Sequence, residues 1–132
     1  MNTDKELLFT LRSSGLIKGR MPFITIISHK STYIKFKKKQ YVLSYRDDNI
    51  YIESLSSFSK KPNHKQDIEF NVSDIKSYNL TNISKSIQAL YLYIGHRSIC
   101  MYMSRGYLKS AYSEDNFLEF IKYLKDKGVK RV

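Results

Sequence analysis

The residues able to do chemistry in this chain are few and scattered. A metal ion needs several nitrogen, sulfur or carboxylate ligands converging on one point. The three histidines, His29, His64 and His96, stand far apart, each in or beside an expected loop, so no metal is implied. The single cysteine, Cys100, falls inside an expected strand and reads as a small packing residue, because a nucleophilic thiolate needs a neighbouring base that spacing does not reveal. Asp47 and Asp48 are adjacent carboxylates in an expected tight turn, where aspartate serves local backbone hydrogen bonds rather than acid–base chemistry. Gly15, Lys18, Gly19 and Arg20 lack the spacing and the strand–loop–helix context of a phosphate loop. The expectation is a protein that is not an enzyme, carries no cofactor and works by binding.

The most suggestive run is Tyr33-Ile34-Lys35-Phe36-Lys37-Lys38-Lys39. In an extended strand Ile34 and Phe36 would point inward, leaving Tyr33, Lys35, Lys37 and Lys39 on an outer face as a basic stripe ending in an aromatic ring. An acidic membrane surface contributes about 1 kcal/mol per nearby Lys or Arg, which would give weak, salt-sensitive attachment. The same stripe could meet phosphates of a nucleic acid, with outward Tyr91, Tyr93 and Tyr102 stacking on single-stranded bases. Lysines also protect an edge strand from unwanted pairing. That reading involves no ligand at all.

Composition supports a binding protein with an anionic partner, without naming the partner. The formal net charge is +11 and the sequence pI about 9.7. Residues 1–66 hold 13 Lys/Arg against 5 Asp/Glu, and residues 67–132 hold 10 against 7. The positive field should therefore come mostly from the first half. An AT-rich coding bias would give the same abundance of lysine without any partner. Hydrophobic residues at 42% and aromatics at 14% argue for a folded chain despite the charge. A length of 132 residues suits one domain. No apolar run is long enough to cross a bilayer, the N-terminus lacks the order of a signal peptide, and the lone cysteine cannot form an internal disulfide. A cytoplasmic location is expected.

These residues are positioned by a mostly-β, α+β framework. Thr3-Asp4-Lys5-Glu6 has capping-box spacing and predicts a short N-terminal helix with Leu7, Leu8 and Leu11 on one side, stopped at Ser13-Ser14-Gly15. Short β-branched and aromatic runs predict strands at Phe23 to Ser28, Thr32 to Lys37, Tyr41 to Tyr45, Ile50 to Ser54, Asp67 to Asn71, Ile75 to Leu80, Gln88 to Ile94 and Ile99 to Ser104, with a further candidate at Tyr107 to Ala111. In a hairpin around Arg46 to Asn49, Tyr45 faces Ile50, Leu43 faces Ile52 and Tyr41 faces Ser54. Around Gly95 to Ser98, Ile94 would pair with Ile99, Leu92 with Met101 and Leu90 with Met103. That leaves an aliphatic core face and a tyrosine-bearing opposite face. Residues 56–66 read as a long polar loop. The last element is an amphipathic helix with Ser113 as N-cap, Phe117, Phe120, Ile121 and Leu124 as its buried stripe, and Gly128 as its stop. Residues 1–20 then form an extension, 23–112 an antiparallel sheet of about seven to nine strands, and 113–128 the helix.

This order resembles the pleckstrin-homology-like domains of bacteria. The residues carrying the likeness are the early hairpin Tyr41 to Ser54, the segment Phe70-Asn71-Val72-Ser73-Asp74-Ile75-Lys76-Ser77-Tyr78, and the helix Asn116 to Lys127. It spans roughly Phe23 to Gly128. The resemblance implies a strongly bent sheet or partly open barrel capped by the terminal helix, with ligands meeting loops at the far end or a strand edge. It supplies no functional residues of its own. It directs attention to Lys30, Arg46, Lys60, Lys61 and Lys65 on loops, beside the stripe Tyr33, Lys35, Lys37, Lys38 and Lys39. The expected partner is another protein or an anionic membrane surface, in the latter case at the inner membrane face. The alternative is a nucleic acid. The oligomeric state is left open.

Overall fold

The computed structural model describes residues 4–15, 17–28, 30–33, 40–54, 68–104 and 111–132. They form helix α1 (Asp4–Ser13), strands β1 (Arg20–Ile27), β2 (Gln40–Arg46), β3 (Asn49–Ser54) and β4 (Ile68–Asn71), a 3-10 turn (Val72–Asp74), strands β5 (Ser77–Asn82), β6 (Ile87–Ile94) and β7 (Arg97–Ser104), helix α2 (Ala111–Asp126) and a two-residue strand β8 (Lys130–Arg131). The strands make one eight-stranded sheet in the order β4-β3-β2-β1-β7-β6-β5-β8, not closed into a barrel. All pairings are antiparallel except β5 with β8. The α+β class is as expected. The parallel β8 is not, because a two-residue strand of charged residues carries no sequence period.

At a strand spacing of about 4.8 Å a flat sheet of this size would be about 34 Å wide, whereas one helix covers only about 10 Å. Phe70 from β4, Tyr78 from β5 and Leu90 from β6 nevertheless belong to the same buried core as Phe117, Phe120, Ile121 and Leu124 of α2. The sheet must therefore curl around the helix. At the centre of this core Phe23 of β1 meets Phe117 edge-on, with ring centroids 5.6 Å apart. Full burial of such rings is the main favourable contribution to the fold, at about 1.5–3 kcal/mol each.

The expected faces are present with one change of register. In the β2–β3 hairpin Tyr45, Leu43 and Tyr41 pair with Ile50, Ile52 and Ser54 as the parity argument requires. In the β6–β7 hairpin Leu92 pairs with Ile99 and Leu90 with Met101, while Ile94 pairs with Arg97. The turn is thus Gly95-His96 alone, and the register lies two residues from the expected one. Because side chains alternate with period two, a two-residue shift leaves every residue on its expected face. Leu90, Leu92, Ile99 and Met101 are buried, and Cys100 is buried on the opposite side.

The terminal helix starts two residues before the expected cap. Ala111, expected to close a strand, begins α2, and the rest of that candidate strand, 107–110, lies outside the described residues. Ser113 sits inside the first turn, and its Oγ accepts from Ile24 N–H at 3.1 Å instead of capping. A hydroxyl that reaches a strand amide joins helix to sheet, which spacing along the helix does not reveal. Asn116 adds a second link, donating from Nδ2 to the Pro22 carbonyl at 2.8 Å. The stop is as expected. Gly128 adopts φ +82°, its N–H reaches Lys125 O, and Val129 N–H reaches Leu124 O, the paired bonds of a Schellman cap.

Strand β5 begins at Ser77, two residues after the expected start at Ile75, and Asp74 precedes it in the 3-10 turn. The Asp74 carboxylate accepts from Asn71 N–H at 3.2 Å while Asn71 Oδ1 accepts from Ser73 N–H at 2.9 Å, a reciprocal cap closing the 3-10 turn. The N-terminal extension carries the expected short helix, and it packs onto the sheet. Leu8 and Leu11 of α1 pack with Ile17 and with Val42 of β2 as a second buried cluster, joined by Ile24. This cluster lies on the face of β1 and β2 opposite the main core, so the first two strands are covered on both sides. Leu7, expected with them, stays 38% exposed.

Candidate functional site

Among the described residues no group of three or more His, Cys, Asp or Glu is arranged to hold a metal. Among the described residues, Arg20, Met21, Tyr45, Arg46, Asp47, Tyr123 and Lys127 line an open pocket of about 260 Å³. It forms where β1 begins, β2 ends and α2 finishes.

The backbone around it is irregular for reasons legible in the residues. Gly19 N–H donates to the buried Ser44 Oγ at 3.1 Å, drawing the entering chain against β2. Arg20 pairs with Tyr45 and Phe23 with Leu43, so the β1–β2 ladder carries a bulge between them. Pro22, which has no N–H to offer a ladder, occupies that bulge. Met21 takes φ +51°, an uncommon conformation for a residue with a Cβ. Bulges and strained backbone re-aim side chains, and they concentrate at functional positions. Here the outcome is that Arg20 lines the same pocket as Arg46.

The floor is aromatic and neutral. Tyr45 and Tyr123 lie with ring centroids 4.2 Å apart, and Tyr45 packs on Phe120 at 5.6 Å. The Tyr123 hydroxyl donates to Asp47 O at 2.7 Å. Burial, helped by the charges of Asp48 and Asp47, pushes Tyr123 up to about 12. Burial, with Glu119 adding to it, also raises Tyr45. Both phenols therefore keep their protons at neutral pH. Lys127 Nζ pairs with Asp48 at 2.7 Å and lies 5.8 Å from the Tyr123 ring centre. Neither Arg20 nor Arg46 makes an ion pair or a side-chain hydrogen bond with another described residue. The pocket is thus lined by three cationic residues, Arg20, Arg46 and Lys127, and by Asp47; of the cations only Lys127 has an ion-pair partner among the described residues.

Of the residues singled out from sequence, Arg46 lines this pocket. Lys30 lies past the opposite end of β1, in a turn tied to β7 through Ser28 N–H to Cys100 O and Thr32 N–H to Ser98 O. No small ligand spans both. Tyr33 is a correction, since its ring packs on Phe70 at 5.9 Å and joins the core instead of facing outward. The Thr32 to Lys37 strand is also not seen where the chain is described, because Thr32 and Tyr33 both donate to the Ser98 carbonyl as part of a turn. Lys35, Lys37, Lys38, Lys39, Lys60, Lys61 and Lys65 lie outside the described residues, as do His29 and His64. His96 is exposed in the β6–β7 turn.

The second surface of interest is the outer face of β6 and β7. Tyr91 and Tyr93 present parallel rings 6.4 Å apart, while the Tyr102 hydroxyl is drawn inward to Ser28 Oγ at 3.2 Å. A hydrogen bond with Cys100 pushes Tyr91 up to about 12. Burial raises the Cys100 thiol, against a lowering effect of neighbours that include Lys30.

Sequence reading missed Arg20, Tyr45, Tyr123 and Lys127 as members of one site. One signal was available: Pro22 next to Met21 at the start of a strand marks a bulge, and a bulge re-aims its neighbours. No helix of the described chain is long and apolar enough to cross a membrane. No family model matches the chain, and no curated protein is significantly similar to it.

Proposed function

We propose that this chain is a non-catalytic binding module of pleckstrin-homology-like architecture that docks an anionic group of a protein partner. The observation that carries the reading is that Arg20, Arg46 and Lys127 all line one concave pocket with Tyr45 and Tyr123. Guanidinium groups bind carboxylate and phosphate bidentately and are less strongly hydrated than ammonium groups. A pocket of this kind grips one projecting anionic side chain. Support for the architecture comes from the strand order, a meander in which β1 joins β2–β4 on one side to β7–β5 on the other, and from the helix closing the core. A discrete pocket favours a projecting side chain over a flat lipid surface, which recruits cations spread across one face.

The test is fluorescence-polarisation binding to labelled acidic and phosphorylated peptides, alongside flotation with phosphatidylserine vesicles. A subset of peptides should bind the native chain and lose at least tenfold in affinity for Arg20→Ala/Arg46→Ala, while vesicle partitioning is the same for both proteins. Peptide binding that is indifferent to the double substitution refutes the assignment.

A second reading, single-stranded nucleic acid on the outer face of β6 and β7, is supported by the parallel Tyr91 and Tyr93 rings. It predicts a mobility shift that weakens steeply with salt and is abolished by Tyr91→Ala/Tyr93→Ala. An unaltered shift in that variant would remove it.

A further inference from the structure

The outer face of β5, β6, β7 and the end of β1 is free of charge in a strongly charged chain. Tyr78, Leu90, Leu92, Ile99 and Met101 belong to the core, so by alternation the opposite face takes every second residue from Ser77 to Thr81, from Ile87 to Tyr93 and from Ser98 to Ser104. Ile26, which pairs with Tyr102 and is 49% exposed, extends that face onto β1. None of these positions holds Lys, Arg, Asp or Glu, although such residues make up 27% of the chain. The cluster that packs α1 onto β1 and β2 contains no described residue of β5, β6 or β7.

The tyrosines of this face lie across the sheet. Tyr91 hydrogen-bonds Cys100, its partner on β7, and the Tyr102 hydroxyl donates to Ser28 Oγ at 3.2 Å, just past the end of β1. A ring that reaches a neighbouring strand about 4.8 Å away leans over that strand instead of standing off the sheet. Tyr93 keeps within 10° of the Tyr91 plane, with ring centroids 6.4 Å apart. The surface is therefore low, broad and aromatic, interspersed with hydroxyls and the Asn79 amide.

We propose that this face packs against the same face of a second copy of the chain, as a weak two-fold dimer. An anionic partner would find no cation on it, so the matching surface must itself be uncharged, and this chain carries such a surface. Tyr, Ser, Thr and Asn side chains both donate and accept hydrogen bonds. A face built from them is complementary to itself about a two-fold axis, which a face of one charge sign is not. Four strands at about 4.8 Å, by about 23 Å along the strands, give roughly 440 Å² in plan per copy. A standard interface takes about 800 Å² of accessible surface from each partner, so the association is reversible. Two bodies of net charge +11 repel, and no ion pair across the face offsets that repulsion. Screening by salt should therefore strengthen the dimer, the opposite sign to a nucleic acid bound on the same rings. The inference is independent of the anionic-docking reading.

The test is sedimentation equilibrium of the full chain from about 10 μM to about 1 mM, in about 0.05 M and about 0.5 M NaCl. The average mass should rise with concentration from 15.6 kDa towards twice that value and no further, with association at least about threefold tighter at the higher salt. Tyr93→Lys and Thr81→Lys each place a cation on the face, the second without removing a ring, and each should weaken the dimer about tenfold or more. Phe9→Lys adds the same charge on α1, at a ring 67% exposed, and should leave the dimer within about twofold of the parent. Circular dichroism would show that each variant is folded. A chain that stays monomeric at about 1 mM in both salts, a dimer loosened by salt, mass growing past the dimer, or equal effects of Thr81→Lys and Phe9→Lys overturns the proposal. A monomer whose oligonucleotide shift is abolished by Tyr91→Ala/Tyr93→Ala overturns it in favour of the nucleic-acid reading.

Discussion

Replacing Gly19 by alanine tests how the cationic pocket is built. A methyl group there would stand 2.5 Å from the Tyr45 backbone nitrogen, 2.6 Å from Ser44 Oγ and 2.8 Å from the Ser44 carbonyl carbon, where comfortable contact is about 3.5–4.0 Å. Two of the three atoms belong to the backbone of β2, which is paired on both sides, so they cannot yield locally. Overpacking of this kind costs about 1–3 kcal/mol. Moving the strands apart to relieve it breaks the buried bond from Gly19 N–H to Ser44 Oγ, adding about 1–3 kcal/mol for unsatisfied groups. The expected loss is about 2–6 kcal/mol, or roughly 8–24 °C in Tm for a domain of this size. Urea and thermal denaturation followed by circular dichroism would read it. Gly15→Ala is the control, since nothing lies within 4 Å of its added methyl and only the φ of +73° opposes it, for about 1–2 kcal/mol. Adding Ser44→Ala to Gly19→Ala relieves the 2.6 Å contact and leaves both backbone contacts, so rescue should be less than half. A Gly19→Ala protein within about 0.5 kcal/mol of the parent, or one fully rescued by Ser44→Ala, would refute the reasoning.

Three other outcomes are expected. Asn116→Ala should cost about 1–3 kcal/mol in chemical denaturation, because it leaves the Pro22 carbonyl without its buried donor; a change below about 0.5 kcal/mol would show that bond to be dispensable. Cys100, 1% exposed with its thiol raised by burial, should react with a disulfide reagent far more slowly in the folded chain than in urea, and equal rates would mean that the β6–β7 face is open. Tyr123 keeps its proton up to about 12 when folded, against 10.0 ordinarily, so the folded chain binds a proton that the unfolded chain loses between those values. Its contribution is fully present below pH 10.0 and is lost as pH rises towards about 12. Denaturation midpoints should fall across that window less steeply in Tyr123→Phe, and identical slopes would contradict the assignment.

Local patterning made much of this fold legible. The stripe Phe117, Phe120, Ile121 and Leu124 is buried as its spacing requires, because a helix has one period and one core to face. The β2–β3 register followed from parity alone. The β6–β7 register differed by two residues, since parity sets the face of a side chain but not how tightly a turn closes. Helix α2 began early because its first turn answers to Ile24 and Pro22, which lie nearly a hundred residues away in sequence. The candidate site was less legible. Arg46 was visible as a loop cation, and Tyr33 was assigned outward because its neighbours alternate, whereas its ring finds Phe70 across the fold.

By itself the sequence determined most of the element types, the apolar faces and the helix stop at Gly128, which depend on residues within one turn or one hairpin of each other, and the excess of positive charge, which is a simple sum. Only the tertiary structure decided which cations share a surface. Arg20, Arg46 and Lys127 come from the start of one strand, the end of the next and the end of the last helix, brought together by a bulge, a buried serine and a cap. Lys30 is carried to the opposite end of β1 by the same strand that brings Arg20 to the pocket. Charge counts along a chain are local sums, whereas a binding site depends on distances across the fold, and those are set by how the core packs.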